Sequence, residues 1–248
     1  MPERTAIYVD GLHVNFSGFA AITNLSLEIL YGEVRAIIGP NGAGKTTFLD
    51  VLTGKTRPTR GEVFLDKSTD LGRRDEAWIA RRGISRKFQK PSVFDALSVA
   101  QNLELAIRRG RGYGAMLRSW LRADERERIA AVMRRIGLED VPKQLAGTLP
   151  HGQKQWLEIG MMLVADPKVL LLDEPVAGMS DHETERTAEL IRSLKSPERA
   201  VVVIEHDMKF VERIADLVTV LHEGRILGEG SMHAIRQDPR VIEVYLGR

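Results

Sequence analysis

Apolar positions along this chain recur in two rhythms. Alternating runs at Ile7–Phe16 and Ile22–Ile29 flank a Ser17-Gly18 break, the pattern of two paired antiparallel strands. Val34–Ile38 is short and almost continuously apolar, which predicts a buried strand running into a glycine-rich turn. Thr46–Leu52 has helical character and stops at Gly54, a residue suited to ending a helix. From about Ser98 to Gly147 no strand-like run occurs, and Asp124–Ile136 carries apolar residues at helical spacing on a charged background. Strand and helix then alternate again: helix Gly152–Val164, strand Lys168–Asp173, helix Glu183–Leu194, strand Ala200–Ile204. Val218–His222 and Arg225–Gly228 around Glu223-Gly224 predict a closing hairpin. The pattern predicts one α/β domain over residues 1–248, with a helical lobe at roughly 98–165 inserted into the core.

Composition narrows the class. The 248 residues are 43% hydrophobic and 28% charged, ordinary for a globular chain, and the net charge of +2 gives no sign of nucleic-acid binding. With no cysteine, disulfides and thiolate metal sites are excluded. Met1–Asp10 shows no secretory pattern, and Val169–Leu172 and Val201–Ile204, the longest apolar clusters, are strand-sized. The expectation is a cytoplasmic protein that meets a membrane only through a partner. Nine arginines against three acids between Arg108 and Arg135 make either a solvated helical surface or a face that docks on such a partner.

The strongest chemical signal is Gly39-Pro40-Asn41-Gly42-Ala43-Gly44-Lys45-Thr46, followed by Thr47, which fills the GxxxxGK[ST] pattern between a strand and a helix. Glycines let successive backbone N–H groups converge on phosphate oxygens, and the helix that starts there aims its positive end at the same charge. Lys45 is placed to neutralise the β- and γ-phosphates of ATP, and the Thr46 hydroxyl to help hold Mg²⁺. Val169-Leu-Leu-Leu-Asp173-Glu174 is a second signal, a buried strand ending in two carboxylates. Asp173 suits the Mg²⁺ shell, and Glu174 suits a general base for the attacking water.

With three further elements the chain resembles the ATP-binding subunits of ABC transporters over essentially its full length. Phe88-Gln89 looks like that family's Q-loop, Leu149-Pro150-His151-Gly152-Gln153 like its LSGGQ signature, and His206 like its switch histidine. The resemblance implies a P-loop NTPase core of the RecA-like kind with an N-terminal antiparallel β subdomain and an inserted α-helical subdomain. It implies that Gln89 senses Mg²⁺, that His206 contacts the γ-phosphate, and that Phe16 stacks on adenine, with Phe19 as the nearby alternative. It also implies a second ATPase subunit, either a copy or a paralogue, whose signature completes each ATP site. Membrane permease subunits and, indirectly, a solute-binding protein complete the system, with the ATPase peripheral on the inner face of the cell membrane.

Two positions depart from the family pattern. Pro150 replaces the signature serine, so one hydroxyl donor to the phosphate is missing, a bond worth about 1.5–3 kcal/mol when the acceptor is charged. Ser180, not aspartate, ends the D-loop segment Pro175–Ser180. Within the family, Arg86–Pro91, His151–Ile159, Glu174–Met179 and the ending Val241–Gly247 look like importers of branched-chain amino acids, urea and short amides, urea-type above all. A lipopolysaccharide-export ATPase and a partly degenerate non-transport ABC ATPase are the alternatives.

Overall fold

The computed structural model describes residues 5–87, 92–108 and 121–246; the predicted Q-loop positions Phe88 and Gln89 lie outside them. Strands β1 (Thr5–Phe16) and β2 (Phe19–Leu30) form the expected antiparallel hairpin, turning through Ser17 (φ 45°) and Gly18 (φ 94°). Two successive positive φ angles are what a two-residue hairpin turn requires. After the buried Thr5 and Ala6, burial along β1 alternates at Ile7 and Val9, then at Leu12 and Val14. The phase slips by one between Val9 and Leu12 because the ladder is irregular there, around Gly11 at φ 54°. With β4 (Arg60–Leu65) and β5 (Thr69–Asp70) these strands make a four-stranded sheet in the order β2-β1-β4-β5.

The second sheet has the order β10-β9-β3-β8-β7-β6. Strands β3 (Val34–Ile38), β6 (Ile84–Lys87), β7 (Val169–Asp173), β8 (Ala200–Ile204) and β9 (Leu217–His222) run parallel, and β10 (Arg225–Gly230) closes the edge antiparallel to β9. Every residue of β3, β7 and β8 is buried, as continuous apolar runs demand. Their side chains alternate between two cores. Ile37, Leu171, Val202 and Ile204 face the N-terminal sheet and helix α1 (Lys45–Leu52), whose Phe48 and Leu49 fill that side. Leu170, Leu172, Val201 and Val203 face the other side.

That second core is covered by α3 (Val99–Arg108), α4 (Ala123–Ile136), α5 (His151–Leu163) and α6 (Asp181–Ser193), following the short α2 (Glu76–Arg81) on the first face. Gly160 lets α5 approach α4, since a Cβ there would lie 2.6 Å from Ile136 Cδ1. Three short helices, α7 (Met208–Ile214), α8 (Met232–Gln237) and α9 (Pro239–Leu246), pack a smaller core against β3 and β9. The carboxyl ends of β3, β7 and β8 therefore open side by side, where ligands of parallel sheets bind.

Candidate active site

The turn after β3 is glycine where other chain segments crowd it. A Cβ on Gly39 (φ 153°) would lie 2.2 Å from the Leu221 carbonyl oxygen, and one on Gly44 (φ 101°) 2.7 Å from that of Ala21. Gly44 caps α1 without any side chain, so the N–H groups of Lys45, Thr46 and Thr47 have no intrahelical carbonyl to reach, and all three residues line the cavity. The buried Lys45 ammonium donates to the carbonyl oxygens of Gly39 (2.7 Å) and Pro40 (2.9 Å), two of its three N–H bonds. Burial pushes its pKa down, opposed by the charges of Glu174 and Asp173.

Lys45, Thr46, Thr47, Asp173, Glu174 and His206 share one cavity of 260 Å³ with Asn41, Gly42, Ala43 and Gly44. Phe16 and Phe19 stand at its mouth, 47% and 65% exposed, so both are open platforms for a flat base. Asp173 ends β7 with one oxygen fixed: Oδ2 accepts from Arg86 Nη2 at 2.9 Å. Its other oxygen, Oδ1, is buried with no hydrogen-bond partner among the described residues. A buried carboxylate oxygen of Asp173, in the cavity that Thr46 also lines, is a donor set that fits Mg²⁺, which takes few protein oxygens and keeps water and phosphate for the rest. Glu174 leaves the strand in the left-handed region at φ 48°, its N–H bonded to the Ile204 carbonyl at 3.0 Å. That twist turns its side chain toward β8's exit, where Glu174 Oε1 lies 3.1 Å from His206 Nε2.

Behind the cavity lies a layer of buried charge. Arg86 on β6 pairs with Asp173 and with Asp50 of α1, tying the strand-end carboxylate to the helix that follows the phosphate loop. Lys87, 0% exposed, faces Glu158 of α5 at 3.7 Å, and Glu158 also accepts from the N–H (3.2 Å) and hydroxyl (2.7 Å) of Ser92. Burial pushes the Glu158 carboxyl up and the Lys87 ammonium down.

Residues 22–177 match the ABC transporter family, and residues 225–248 match the branched-chain amino acid ATP-binding cassette transporter family. The chain belongs to the ABC transporter family. It is an ATP-binding subunit of that family and an ATPase. It is 38% identical over 253 residues to the high-affinity branched-chain amino acid transport ATP-binding protein LivG of Salmonella typhimurium, covering 99% of each chain. It is 36% identical to BraF of Pseudomonas aeruginosa, described in the same words, again with 99% of each covered. Among solved structures it resembles the ADP conformation of MJ1267, an ATP-binding cassette of an ABC transporter, at a TM-score of 0.85 and 27% identity over 98% of this chain and 99% of that one.

Within this ABC ATPase, Leu149–Gln153 do not line the cavity that holds Lys45. Pro150 is the N-cap of α5 (φ −53°, ψ 156°), one position before the first helical turn, and offers no side-chain cap. His151, named in the signature but not among its departures although it stands at the first glycine of LSGGQ, joins its Nε2 to the Ala177 carbonyl at 3.1 Å. The Gly152 N–H is aimed at Glu183, and a Cβ on Gly152 would lie 2.2 Å from Glu183 Oε1. Ser180 caps α6 in a reciprocal box with Glu183. Hydrogen bonds from Ser180 are the largest cause holding the Glu183 carboxyl below its usual value. Of the remaining functional candidates, Arg86 and Lys87 entered the sequence reading only inside the stretch Arg86–Pro91, with no role, and Glu205 not at all. Their one signal was charge at the ends of buried strands.

Proposed function

We propose that this chain powers solute import through a separate membrane permease by hydrolysing Mg-ATP, and that the solute belongs to the branched-chain amino acid class. The observation that carries the reading is the convergence of Lys45, Asp173, Glu174 and His206 on one cavity walled by the phosphate loop. Gly39–Thr47 bind the phosphates, and Phe16 or Phe19 stacks on the adenine. Thr46 and Asp173 hold Mg²⁺, which when bound offsets phosphate charge; Gln89, outside the described residues, is a third candidate ligand. Glu174 takes a proton from the water that attacks the γ-phosphate, and His206, hydrogen-bonded to Glu174, donates toward that phosphate.

Leu149, Pro150, His151, Gly152 and Gln153 serve the ATP held by a second subunit, a copy or a paralogue, since they lie off this chain's own cavity. The helical lobe, as described over residues 98–108 and 121–165, faces the permease on the inner side of the cell membrane; no described helix is long and apolar enough to cross one. A solute-binding protein delivers the cargo. The relatives' names and the match of residues 225–248 support branched-chain amino acids. Urea rests on the wording of Arg86–Pro91, His151–Ile159 and Glu174–Met179 alone.

The test is a Glu174→Gln variant weighed by light scattering with and without Mg-ATP, beside uptake of labelled leucine and urea in cells lacking the chain. The reading expects an ATP-dependent shift from monomer to dimer, and loss of leucine uptake. A persistent monomer with intact ATP binding would refute closure between identical copies. Loss of urea uptake alone would move the solute to the urea class.

A further inference from the structure

We propose that Glu205 is a positioning residue for hydrolysis: its buried carboxylate clasps the exits of β7 and β8 and so holds Glu174 against His206. This rests on the roles given above to Glu174 and His206, and extends them to a residue that touches neither water nor phosphate.

The two reacting side chains sit on separate loops. Glu174 and Val176 leave β7, and His206 leaves β8. One backbone bond, Glu174 N–H to the Ile204 carbonyl, joins the residue after β7 to the last residue of β8. Beyond it the Glu174–His206 contact spans the loops, and it keeps its geometry where a second, buried side chain ties the same two loops. Glu205 does so. Its Oε1 accepts from the Val176 N–H at 3.2 Å and its Oε2 from the His206 N–H at 3.0 Å. The residue is 5% exposed, so those bonds face little competition from water.

A carboxylate is the group this junction needs. Its partners, the N–H groups of Val176, His206 and Asp207, are all donors, and a carboxylate is acceptor-only on both oxygens. Glutamine keeps one acceptor and turns an NH₂ toward the other N–H, so one loop is released. Aspartate keeps the charge but falls short by one methylene. Burial pushes the Glu205 carboxyl up, and the backbone N–H groups of His206, Val176 and Asp207 draw it back down; the charge of Lys87 on β6, beyond β7, also reaches it. Packing explains burial of a side chain here; it does not explain two oxygens each assigned to a different catalytic loop.

The experiment compares Glu205→Gln, Glu205→Asp and Glu174→Gln with the unmodified full chain. Three quantities are read: ATP turnover, ATP affinity, and the ¹⁵N shifts of the His206 ring. Displacing a reacting group by about 1 Å costs on the order of 100-fold, so kcat should fall about 10- to 100-fold in both Glu205 variants. ATP affinity should stay within about twofold, because β3 and its loop are untouched by the change. The His206 ring shifts should move toward those of Glu174→Gln, since both variants break the same imidazole–carboxylate contact. Normal kcat in Glu205→Asp overturns the proposal, as do unmoved His206 shifts with a lower melting temperature, which would mark a purely structural group. Should Glu205→Gln fail to fold, the aspartate variant decides. Retained turnover in Glu174→Gln would instead refute the role of Glu174, while the ring shifts would still report whether Glu205 sets the contact.

Discussion

Removing the Lys87 ammonium should expose how much of this fold rests on charge buried behind the site. Methionine at 87 keeps an unbranched apolar body of similar length, so the packing survives and the cation does not. Lys87 is fully buried and lies 3.7 Å from Glu158, and its charge also reaches Asp173 and Glu205. Breaking a buried pair by deleting one partner costs about 3–5 kcal/mol, a large part of the roughly 5–15 kcal/mol that holds a domain folded. Glu158→Gln should cost less, about 1–3 kcal/mol, because an acceptor remains for Ser92 and Lys87 still faces two carboxylates. Lys87→Met with Glu158→Leu should recover much of the single loss.

Urea unfolding midpoints at pH 7 and about pH 5 measure these differences. Burial is the largest cause shifting Glu158, and it raises the pKa; the Lys87 charge is among those that lower it. The folded chain thus holds that proton more tightly than the unfolded one. Stability linked to Glu158 is therefore lost as pH rises from the unfolded value through the raised one. Without Lys87 the raised value climbs further, so the Lys87→Met deficit should shrink toward pH 5. A deficit under about 1 kcal/mol at pH 7, or one equal to that of Glu158→Gln and unchanged by pH, would refute the reasoning.

Two further outcomes follow from the phosphate loop. Gly39→Ala, whose Cβ would lie 2.2 Å from the Leu221 carbonyl oxygen, should cost about 1–3 kcal/mol and weaken ATP binding; Gly42→Ala, with open space around it, should cost less, as paired melting curves and binding titrations would show. Burial lowers the Lys45 pKa, so at alkaline pH below its usual 10.5 the free chain carries less than a full ammonium there, and phosphate binding should draw a proton in. Calorimetry of ATP binding in buffers of different ionisation enthalpy should record that uptake above neutrality, absent in Lys45→Met.

Strands β3, β7 and β8 were legible because both faces are buried and each reads as an apolar run. β6 was not, because Ile84-Ser-Arg-Lys87 has a single apolar residue. It is a strand inside the protein because Arg86 and Lys87 meet carboxylates from α1, β7 and α5, partners 36 to 87 positions away that no local window contains. The same holds for the site. Lys45, Asp173, Glu174 and His206 were readable from their motifs, and the structure gathers them. Glu205 was masked by the histidine beside it, since its meaning lies in the Val176 N–H, 29 positions upstream. The signature was recognisable as a word, but its place off the cavity, and the grip of His151 on Ala177, came only with the fold.

The left-handed backbone at Glu174, φ 48°, has an evolutionary corollary. An ordinary L-residue in that region gives up about 1–2 kcal/mol that glycine would not, and asparagine also sits there more comfortably. Thermodynamics thus works against the residue on which hydrolysis is proposed to depend. A lineage of this cassette freed from the need to turn over ATP would gain stability by drifting to glycine at 174, whereas the role proposed for Glu174 requires the carboxylate to stay.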